Sequence, residues 1–446
     1  MHSINIFKRF RESRFNKGYS GLAIKNSANQ VSTILVTKLG SLAFTAIIAR
    51  VLMPELFGLY SLVFSTIFVF TSFADMGVGT ALTRFVSRAL AKSDNKKAKS
   101  YYSHLFKIKI VLTLISFLVL LLSAKFIATA YYQKPIFLAL LAGSLFVIVL
   151  SMINFIENAF RASNKFQGVL LKESFFQIAR IVLSPILIIL LLKYALTQEI
   201  AILIIISSIF LPYLITLFFF AFSARKKISF LKESADLLDK DERKGIKRFI
   251  IPLSASLILH TILDQVDLIL LGRFVTSEFI GYYSAAFSLI GPATALAALS
   301  TALFPIFSRL EGTQLRRGLK KSILATFLIS VLFTMLILLL SPLMVGIVYG
   351  ADYSLAINLL RLGSLVIIPS SIVGIYVTFF ISRGKTKLTA KMLVFLTIIK
   401  IVLGYILVST FVKISLFTAT VGVVSARIIT EYLYLSALIL FSRKSK

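Results

Sequence analysis

Residues 46–88 read AIIARVLMPELFGLY (46–60), SLVFSTIFVFTSFA (61–74) and DMGVGTALTRFVSR (75–88). The pattern predicts the end of one membrane helix, a tight turn between Pro54 and Gly58, a second apolar helix and a polar segment from Asp75. Part of this stretch recurs at a constant spacing of 223 residues, without a gap. Arg50, Glu55, Gly58, Tyr60, Ser61, Phe64 and Ser65 return as Arg273, Glu278, Gly281, Tyr283, Ser284, Phe287 and Ser288. Because the chain has 446 residues, this spacing predicts two copies of one half.

The composition is that of a membrane protein. Hydrophobic residues make up 58% of the chain and charged residues 15%, whereas soluble proteins are nearer half apolar and a quarter charged. The net charge of +31 does not indicate nucleic-acid binding, because the basic residues lie between apolar runs, as in loops that face anionic lipid. The chain has no Cys and three widely separated His residues. Disulfides and thiolate metal sites are therefore excluded, and no metal centre is expected.

A membrane helix needs roughly 20 apolar residues, and the chain contains twelve apolar runs of about this length. Together with the repeat, they predict an all-α polytopic fold with twelve spans in two pseudo-symmetric six-helix bundles. The predicted spans are 29–50, 57–80, 104–127, 135–158, 169–193, 200–222, 250–272, 280–304, 322–347, 356–381, 389–411 and 415–440. Most of the 49 Lys and Arg residues fall on one side of these spans, which predicts that both termini are cytoplasmic. The two halves then insert in the same sense, and the axis relating them runs along the membrane normal.

Four segments follow from this pattern. They are a basic N-terminal segment (1–28), an N-terminal bundle (29–222), a linker (223–249) and a C-terminal bundle (250–441). The linker is polar and basic. We therefore expect it to lie in the cytoplasm, to join neither bundle core and to tolerate a small insertion near Lys240. The connections on the opposite side are short and leave no room for an external enzyme domain.

The first turn resembles the N-terminal signature of the oligosaccharide flippases, the Wzx-type polysaccharide transporters of the MOP superfamily, which are related to MATE exporters and MurJ. The resembling residues are Ala49-Arg50, Pro54-Glu55, Phe57-Gly58, Tyr60-Ser61, Asp75, Gly77, Gly79-Thr80-Ala81-Leu82 and Arg84. The second copy is also similar, from Gly272-Arg273 through Glu278, Gly281 and Tyr283 to Phe304-Pro305 and Ser308-Arg309. The resemblance implies two bundles around a central cavity that opens alternately to each side, and movement of lipid-linked glycans to the outer leaflet.

Four charged residues of the repeated turn are expected to have a structural or gating role, because both halves keep them: Arg50, Glu55, Arg273 and Glu278. Direct contact with the glycan is the alternative. Asp75 lies near the predicted end of span 2. We expect Asp75 to cap the helix or to pair with Arg84 or Arg88, and a role at the cytoplasmic gate stays open. Gly77 and Gly79 do not predict a phosphate-binding loop, because such a loop needs a preceding strand and more glycines.

Ionisable residues inside the spans are the best candidates for a site. A charge at mid-membrane costs about 2.5–3.5 kcal/mol and usually faces a cavity or a partner. We expect the substrate cavity to be lined by Lys38, Arg180, His260, Asp264, Asp267, Arg361 and Arg427. Lys400 and Glu431 also lie within spans. We expect Glu431 to pair with Arg427, four residues before it, and Glu157 and Glu173 to meet a nearby Lys or Arg.

His260, Asp264 and Asp267 form one stripe of span 7, and Lys38 lies on the corresponding face of span 1. We therefore expect Lys38 to pair with Asp264 or Asp267 when the cleft is narrow, and to meet substrate phosphate when it is open. An ion pair that never touches substrate is the alternative.

These features favour a flippase that moves a polyprenyl-linked oligosaccharide by alternating access, without covalent chemistry and without a cofactor. A coupling ion, H⁺ or Na⁺, stays open. The alternative is a MATE-like cation-coupled exporter of small organic molecules, in which Asp264 and Asp267 bind the coupling ion. A membrane glycosyltransferase or polymerase is a third hypothesis, disfavoured because such enzymes need a sizeable external loop. We expect a monomer in the plasma membrane. Its expected partners are the lipid-linked glycan, membrane lipid and a glycan polymerase or glycosyltransferase, and no nucleic acid.

Overall fold

The computed structural model describes residues 3–297, 312–383 and 385–444 and contains no strand within them. The helices are α1 (Ser3–Asp75), α2 (Val78–Ala91), α3 (Asn95–Lys125), α4 (Phe137–Ala162), α5 (Phe166–Leu192), α6 (Gln198–Lys227), α7 (Lys240–Phe274), α8 (Ser277–Ala297), α9 (Gly312–Val348), α10 (Ala356–Ser364), α11 (Ile367–Ser382), α12 (Thr386–Phe411) and α13 (Leu416–Lys444). A π-helical segment (Phe126–Tyr132) continues α3, and short 3₁₀ turns lie at Ser229–Lys232 and Ala351–Tyr353. The last part of predicted span 8 and the motif at Phe304–Arg309 lie outside the described residues.

The first helix contains two predicted spans, separated by a break at Met53. Met53 has φ 59° and ψ 168°, and Pro54 follows it. A residue before proline is disfavoured in the helical conformation, which explains why the helix breaks here. Thr45 and Phe64 line one 260 Å³ cavity, although 19 residues of unbroken helix would hold them nearly 30 Å apart. The chain therefore folds back at Met53, as the turn signal at Pro54 predicts.

The second predicted span ends earlier than expected. Met76 and Gly77 both have positive φ, 41° and 78°, so the helix ends at Asp75 and α2 starts at Val78. The predicted continuation to Thr80 is wrong. Gly77 accounts for the break, because a glycine adopts the left-handed conformation at no steric cost.

Ten of the described helices are long and apolar enough to cross a membrane, or eleven when α10 and α11 are counted as one bent span. The longest candidate, Ala28–Asp75, contains predicted spans 1 and 2 on either side of Met53. The described helices are therefore compatible with twelve spans. They define a multi-pass, all-α membrane protein, as the sequence predicted.

The two copies of the repeated turn lie against each other at one end of the molecule, which we call the turn end. Gly58 packs on the backbone of Ser277, and Gly281 packs on the backbone of Pro54. Ser277 is the position that corresponds to Pro54 in the 223-residue repeat. The contacts are therefore reciprocal, as a two-fold relation between the halves requires. The largest hydrophobic core includes residues of both halves, from Phe44 to Val424.

The segment between the halves packs more closely than the sequence predicted. Phe230 is buried against Tyr102 of α3, with ring centroids 5.8 Å apart. Ser100 of α3 accepts a hydrogen bond from the Asp236 amide at 2.9 Å. Asp239 caps α7, and Glu242 of α7 forms a salt bridge with Lys97 at 2.6 Å. The expectation that residues 223–249 join no core is therefore wrong, because their apolar side chains cover α3. Their cytoplasmic location stays a prediction.

Candidate functional site

A buried ionic cluster lies in the C-terminal half. The Asp267 carboxylate on α7 accepts hydrogen bonds from Lys400 Nζ at 2.9 Å, Arg427 Nη1 at 2.9 Å and the Tyr283 hydroxyl at 2.8 Å. Asp267 is 2% exposed and Lys400 is 4% exposed, whereas Arg427 is 22% exposed. Removing a single partner of a buried charge costs about 3–5 kcal/mol, so a carboxylate at this depth needs its cations. Asp267 is therefore compensated by the protein itself.

The stripe predicted on α7 divides into two environments. His260 and Asp264 are 66% and 53% exposed, and their Nε2 and Oδ2 atoms lie 3.8 Å apart. Both residues line a cavity of 630 Å³ that Arg427 and Glu431 also line. Asp267, one turn further along α7, turns into the protein. Arg427 binds Asp267, and the structure records no ion pair between Arg427 and Glu431 within the described residues. The predicted local pair is therefore absent.

The corresponding region of the N-terminal half contains a buried arginine. Arg180 on α5 donates to Gln177 Oε1 at 2.7 Å and to the Ser41 hydroxyl at 3.1 Å. Its guanidinium lies 4.2 Å from the ring centroid of Phe44 and 5.0 Å from that of Phe176. Its Nε atom is buried and has no hydrogen-bond partner among the described residues. Arg180 was expected to line the substrate cavity, but it lines none of the three cavities described here, because the rings of Phe44 and Phe176 cover it. Within the part of the chain that the structure describes, no carboxylate lies within 4 Å of this guanidinium.

The repeat makes the two regions directly comparable. Ser41, Phe44, Tyr60 and Gln177 correspond to Asp264, Asp267, Tyr283 and Lys400. Arg180 and Arg427 have no such relation, since position 403 is Leu and position 204 is Ile. The halves thus share one framework but differ in charge. The region around Asp267 holds an acid with two cations, whereas the region around Arg180 holds a cation with no described carboxylate within 4 Å of it.

Lys38 lines a second cavity, of 360 Å³, within the N-terminal half. Phe176, which contacts Arg180, lines the same cavity, as do Glu157, Lys172 and Glu173. The structure records no ion pair to Lys38 among the described residues, and Asp267 is bound to Lys400 and Arg427. The expected pairing of Lys38 with Asp264 or Asp267 is therefore absent in this structure. The pairing is absent because both acids contact residues of their own half: Asp264 lies beside His260, and Asp267 binds Lys400 and Arg427.

The acids at the wall of this cavity are neutralised locally. Glu157 forms salt bridges with Arg161 at 2.7 Å and with Lys172 at 2.8 Å, and Lys172 also binds Glu173 at 2.9 Å. The prediction that Glu157 and Glu173 meet nearby basic residues is confirmed. Lys172 was not among the predicted site residues, although its position next to Glu173 was a signal for it.

The repeated arginines connect the two halves at the turn end. Arg50 donates from Nε to the carbonyl oxygen of Val348 at 3.0 Å, and from Nη2 to that of Ile347. Arg273 donates from Nη1 to the carbonyl oxygens of Ala130 at 3.1 Å and Tyr131 at 2.8 Å. Each arginine therefore binds backbone of the other half. These contacts close the turn end of the cleft.

Three further contacts surround this closure. Glu55 accepts from Gln198 Nε2 at 2.8 Å, and Glu278 accepts from the Tyr282 hydroxyl. Lys134, in the loop before α4, donates to the Val275 carbonyl oxygen at 2.8 Å, and burial lowers its pKa. The two repeated glutamates thus bind within their own half and hold the arginine-bearing turns in place.

Asp75, Arg84 and Arg361 differ from their predictions. Asp75 pairs with Lys109 at 2.7 Å, and the Lys109 side chain is fully buried. Arg84 instead lies over the ring of Phe249, 4.4 Å from its centroid. Lys109 lies within predicted span 104–127 but was missed as the partner of Asp75, because the sequence pointed only to the nearby Arg84 and Arg88.

Arg361 is exposed, donates from Nε to the Ser341 hydroxyl at 2.9 Å and lines none of the three cavities described here. It lies on the short helix α10, whose bend at residues 365–366 the sequence did not indicate. Within the described residues there is no group of three His, Asp or Glu side chains that could hold a metal ion.

The chain is similar in sequence to one protein family and in fold to several solved structures. A family model described as polysaccharide biosynthesis protein matches residues 23–311. No curated protein matches the chain. An inward-facing multidrug resistance MATE family transporter of the MOP superfamily is 16% identical, with a TM-score of 0.67 over 92% of this chain and 98% of that chain.

Two further structures are similar. The lipid II flippase MurJ in an inward closed conformation is 16% identical, with a TM-score of 0.69 over 94% of this chain and 87% of that chain. An outward-facing multidrug resistance MATE family transporter is 16% identical, with a TM-score of 0.61 over 94% of this chain and 96% of that chain. At this identity the likeness shows a shared fold, and it confirms the predicted MATE-like and MOP-like fold class.

Proposed function

We propose that this chain, which belongs to the polysaccharide biosynthesis protein family, is a flippase that moves a polyprenyl-linked oligosaccharide between membrane leaflets by alternating access. Membership confirms the resemblance noted in the first turn. The similar fold of MurJ, a lipid II flippase, supports a lipid-linked glycan as the substrate class here.

The observation that carries the proposal is the arginine without an acid in the N-terminal half. Arg180 is 8% exposed and no described carboxylate lies within 4 Å of it. A charge at membrane depth needs a partner or a wet cavity. Lys38 lines a cavity together with Phe176, and it has no ion pair among the described residues either. These two cations would bind the phosphate groups of a polyprenyl-linked substrate and replace part of their hydration, because fixed cationic donors reduce the cost of desolvation.

The contacts of Asp267 in the C-terminal half support a flippase over a cation-coupled exporter. A cation-coupled exporter would need Asp264 and Asp267 free to bind the coupling ion. Asp267 is already bound to Lys400 and Arg427, which leaves little affinity for a further cation. Asp264 remains exposed in its cavity beside His260, so a coupling ion at Asp264 stays compatible with the proposal.

In this proposal the phosphate and the glycan cross within the cleft while the polyprenyl chain stays in the bilayer. The turn end closes through Arg50 and Arg273 in one state and opens in the other. The protein acts without covalent chemistry and without a cofactor, as a monomer. It works in the plasma membrane, with both termini in the cytoplasm, next to glycosyltransferases or a glycan polymerase that supply or use the glycan.

The experiment that tests the proposal uses three variants in cells that lack their own flippase. Arg180→Gln should reduce glycan export at least about tenfold while membrane levels stay normal, because no acid loses its partner. Arg180→Lys should retain partial export, since the charge remains but the geometry of the donors changes. Arg361→Gln is the matched control, because this exposed arginine lies in the other half and donates to Ser341. Normal export by Arg180→Gln would contradict the proposal.

A further inference from the structure

A chamber of 260 Å³ lies between the two halves, next to the closed turn end. Its wall contains the same motif from each repeat, Tyr-Ser-x-x-Phe-Ser. All eight residues named by the motif line the chamber, and they are Tyr60, Ser61, Phe64, Ser65, Tyr283, Ser284, Phe287 and Ser288. The turn geometry alone does not require Phe64, Ser65 and their counterparts, which lie beyond the turn. Their repetition therefore points to the chamber as a second reason for the duplicated sequence.

Two hydroxyls at this wall have no hydrogen-bond partner among the described residues. Ser65 is 1% exposed, and its Oγ atom has no hydrogen bond within the part of the chain that the structure describes. The Oγ atom of Ser284 is also buried and unpaired among these residues. A buried polar group without a partner costs about 1–3 kcal/mol. A ligand that brings hydroxyl groups into the chamber would remove this cost.

The other feature of the wall is aromatic. The rings of Tyr60 and Phe64 lie 4.9 Å apart, and those of Tyr283 and Phe287 lie 4.3 Å apart at an angle of 22°. The chamber thus combines apolar ring faces with hydroxyls, one set from each half. This is the mixture of apolar surface and a few polar groups that a small-molecule site uses. A sugar ring has the matching surface, since it presents C–H groups on its face and hydroxyls at its edge.

The chamber is contiguous with the cavity of the C-terminal half, since Asp264, Phe287 and Arg427 line both. It is also close to Arg180. Ser41 accepts a hydrogen bond from Arg180, and Thr45, one helical turn further along α1, lines the chamber. A phosphate at Arg180 would therefore place its first sugar about one helical turn, roughly 6 Å, further toward the turn end.

We infer that this chamber binds the sugar unit next to the phosphate of the lipid-linked substrate. The inference rests on the proposed function and adds a location and a size to it. Small-molecule sites usually occupy about 300–1,000 Å³, so 260 Å³ accommodates one ring and not an oligosaccharide. The remaining sugars extend into the larger cavity lined by Asp264.

The test is a binding experiment with the purified full-length protein in lipid nanodiscs. The probes are polyprenyl diphosphate and polyprenyl diphosphate that carries one sugar, with glucose, galactose and their N-acetylamino forms tested in turn. The variants are Ser65→Ala, Ser284→Ala and Phe287→Leu. Ser208→Ala is the matched control, because Ser208 is 3% exposed, its hydroxyl also lacks a described partner and it lines none of the three cavities.

The wild type should bind one of the sugar-bearing probes about tenfold more tightly than bare polyprenyl diphosphate. Each chamber variant should reduce that preference about three- to tenfold, the size of one hydrogen bond or one ring contact. Binding of the bare diphosphate should not change. Ser208→Ala should keep the full preference. Because no hydrogen bond is lost, Ser65→Ala and Ser284→Ala should fold normally, and thermal unfolding checks this.

Equal binding of all probes by the wild type, or an unchanged preference in the chamber variants, would overturn the inference and leave the proposed function standing. Weaker binding of the bare diphosphate in the chamber variants would also overturn it, because the chamber would then hold the lipid chain or the phosphate. Absence of binding for every probe would refute the proposed function together with the inference.

Discussion

Gly58 and Gly281 pack against each other's turns with no room for a side chain at either position. A Cβ atom at Gly58 would overlap the carbonyl oxygen of Ser277 and lie 2.8 Å from the Gly281 amide nitrogen. A Cβ atom at Gly281 would overlap the carbonyl oxygen of Pro54. The two halves therefore touch through backbone at the turn end, and each repeat supplies one glycine and one backbone surface.

Gly58→Ala should hold the turn end open, because the added methyl group meets backbone atoms that cannot rotate away. The measurement is labelling of Thr45→Cys, in the chamber, by a membrane-impermeant thiol reagent in intact cells. The cysteine-free chain makes such a single site unambiguous. The labelling rate should rise at least about fivefold. Gly346→Ala on α9 is the control, since nothing lies within 4 Å of a Cβ there. An unchanged rate in Gly58→Ala would contradict the reciprocal contact.

Arg50→Ala and Arg273→Ala should weaken the same closure, because each arginine binds carbonyl oxygens of the opposite half. Each variant loses hydrogen bonds made by a charged donor, and such bonds contribute about 1.5–3 kcal/mol. We expect labelling of Thr45→Cys to rise in each single variant and further in the double variant. Lys413→Ala removes an exposed cation and serves as the control. If the labelling rate rose in only one of the two single variants, this would contradict closure by both arginines.

Asp75→Asn should destabilise the protein, because it leaves the fully buried Lys109 without its anion. Breaking one partner of a buried pair costs about 3–5 kcal/mol, whereas replacing both with neutral groups costs much less. The unfolding temperature of the detergent-purified protein should fall in Asp75→Asn and recover in the double variant Asp75→Asn with Lys109→Met. Arg84→Gln should have little effect. An equally low unfolding temperature for Asp75→Asn and for the double variant would contradict the buried pair.

The orientation is testable with two exposed positions. Lys413 lies at the turn end and Lys96 at the opposite end, and both side chains are exposed. Each is replaced by cysteine in a separate variant. The distribution of basic residues predicts that the first reacts with an impermeant reagent in intact cells and that the second reacts only after permeabilisation. The reverse result would place the termini outside.

The sequence predicted the repeat, the break at Pro54 and the fold class because these depend on local patterns and composition. It did not predict how deep each ionisable residue lies. Asp264 and Asp267 share a helical stripe, yet only Asp267 is covered, since Lys400 of α12 and Arg427 of α13 reach it there. Such coverage depends on how three helices pack, and spacing along a single helix does not contain it.

The same limit explains the residues that were missed. Lys109 is 34 residues from Asp75 in the sequence, so only the packing of α3 on α1 brings the two side chains together. The linker looked solvated because most of its residues are polar. Phe230 nevertheless packs on α3, and the contacts of Asp236 with Ser100 and of Glu242 with Lys97 attach the segment further. Arg361 was expected in the cavity because it lies in an apolar run, yet it is exposed and donates to Ser341 of α9.

The central claim is that the protein moves a lipid-linked glycan across the bilayer and uses Arg180 to do so. The most direct measurement reconstitutes the purified protein in liposomes that contain a fluorescent polyprenyl diphosphate-linked oligosaccharide and follows its transfer between leaflets. Our account predicts rapid transfer by the wild type and by Arg361→Gln, and at least about tenfold slower transfer by Arg180→Gln. Transfer no faster than in protein-free liposomes, or equal transfer by Arg180→Gln and the wild type, would contradict it.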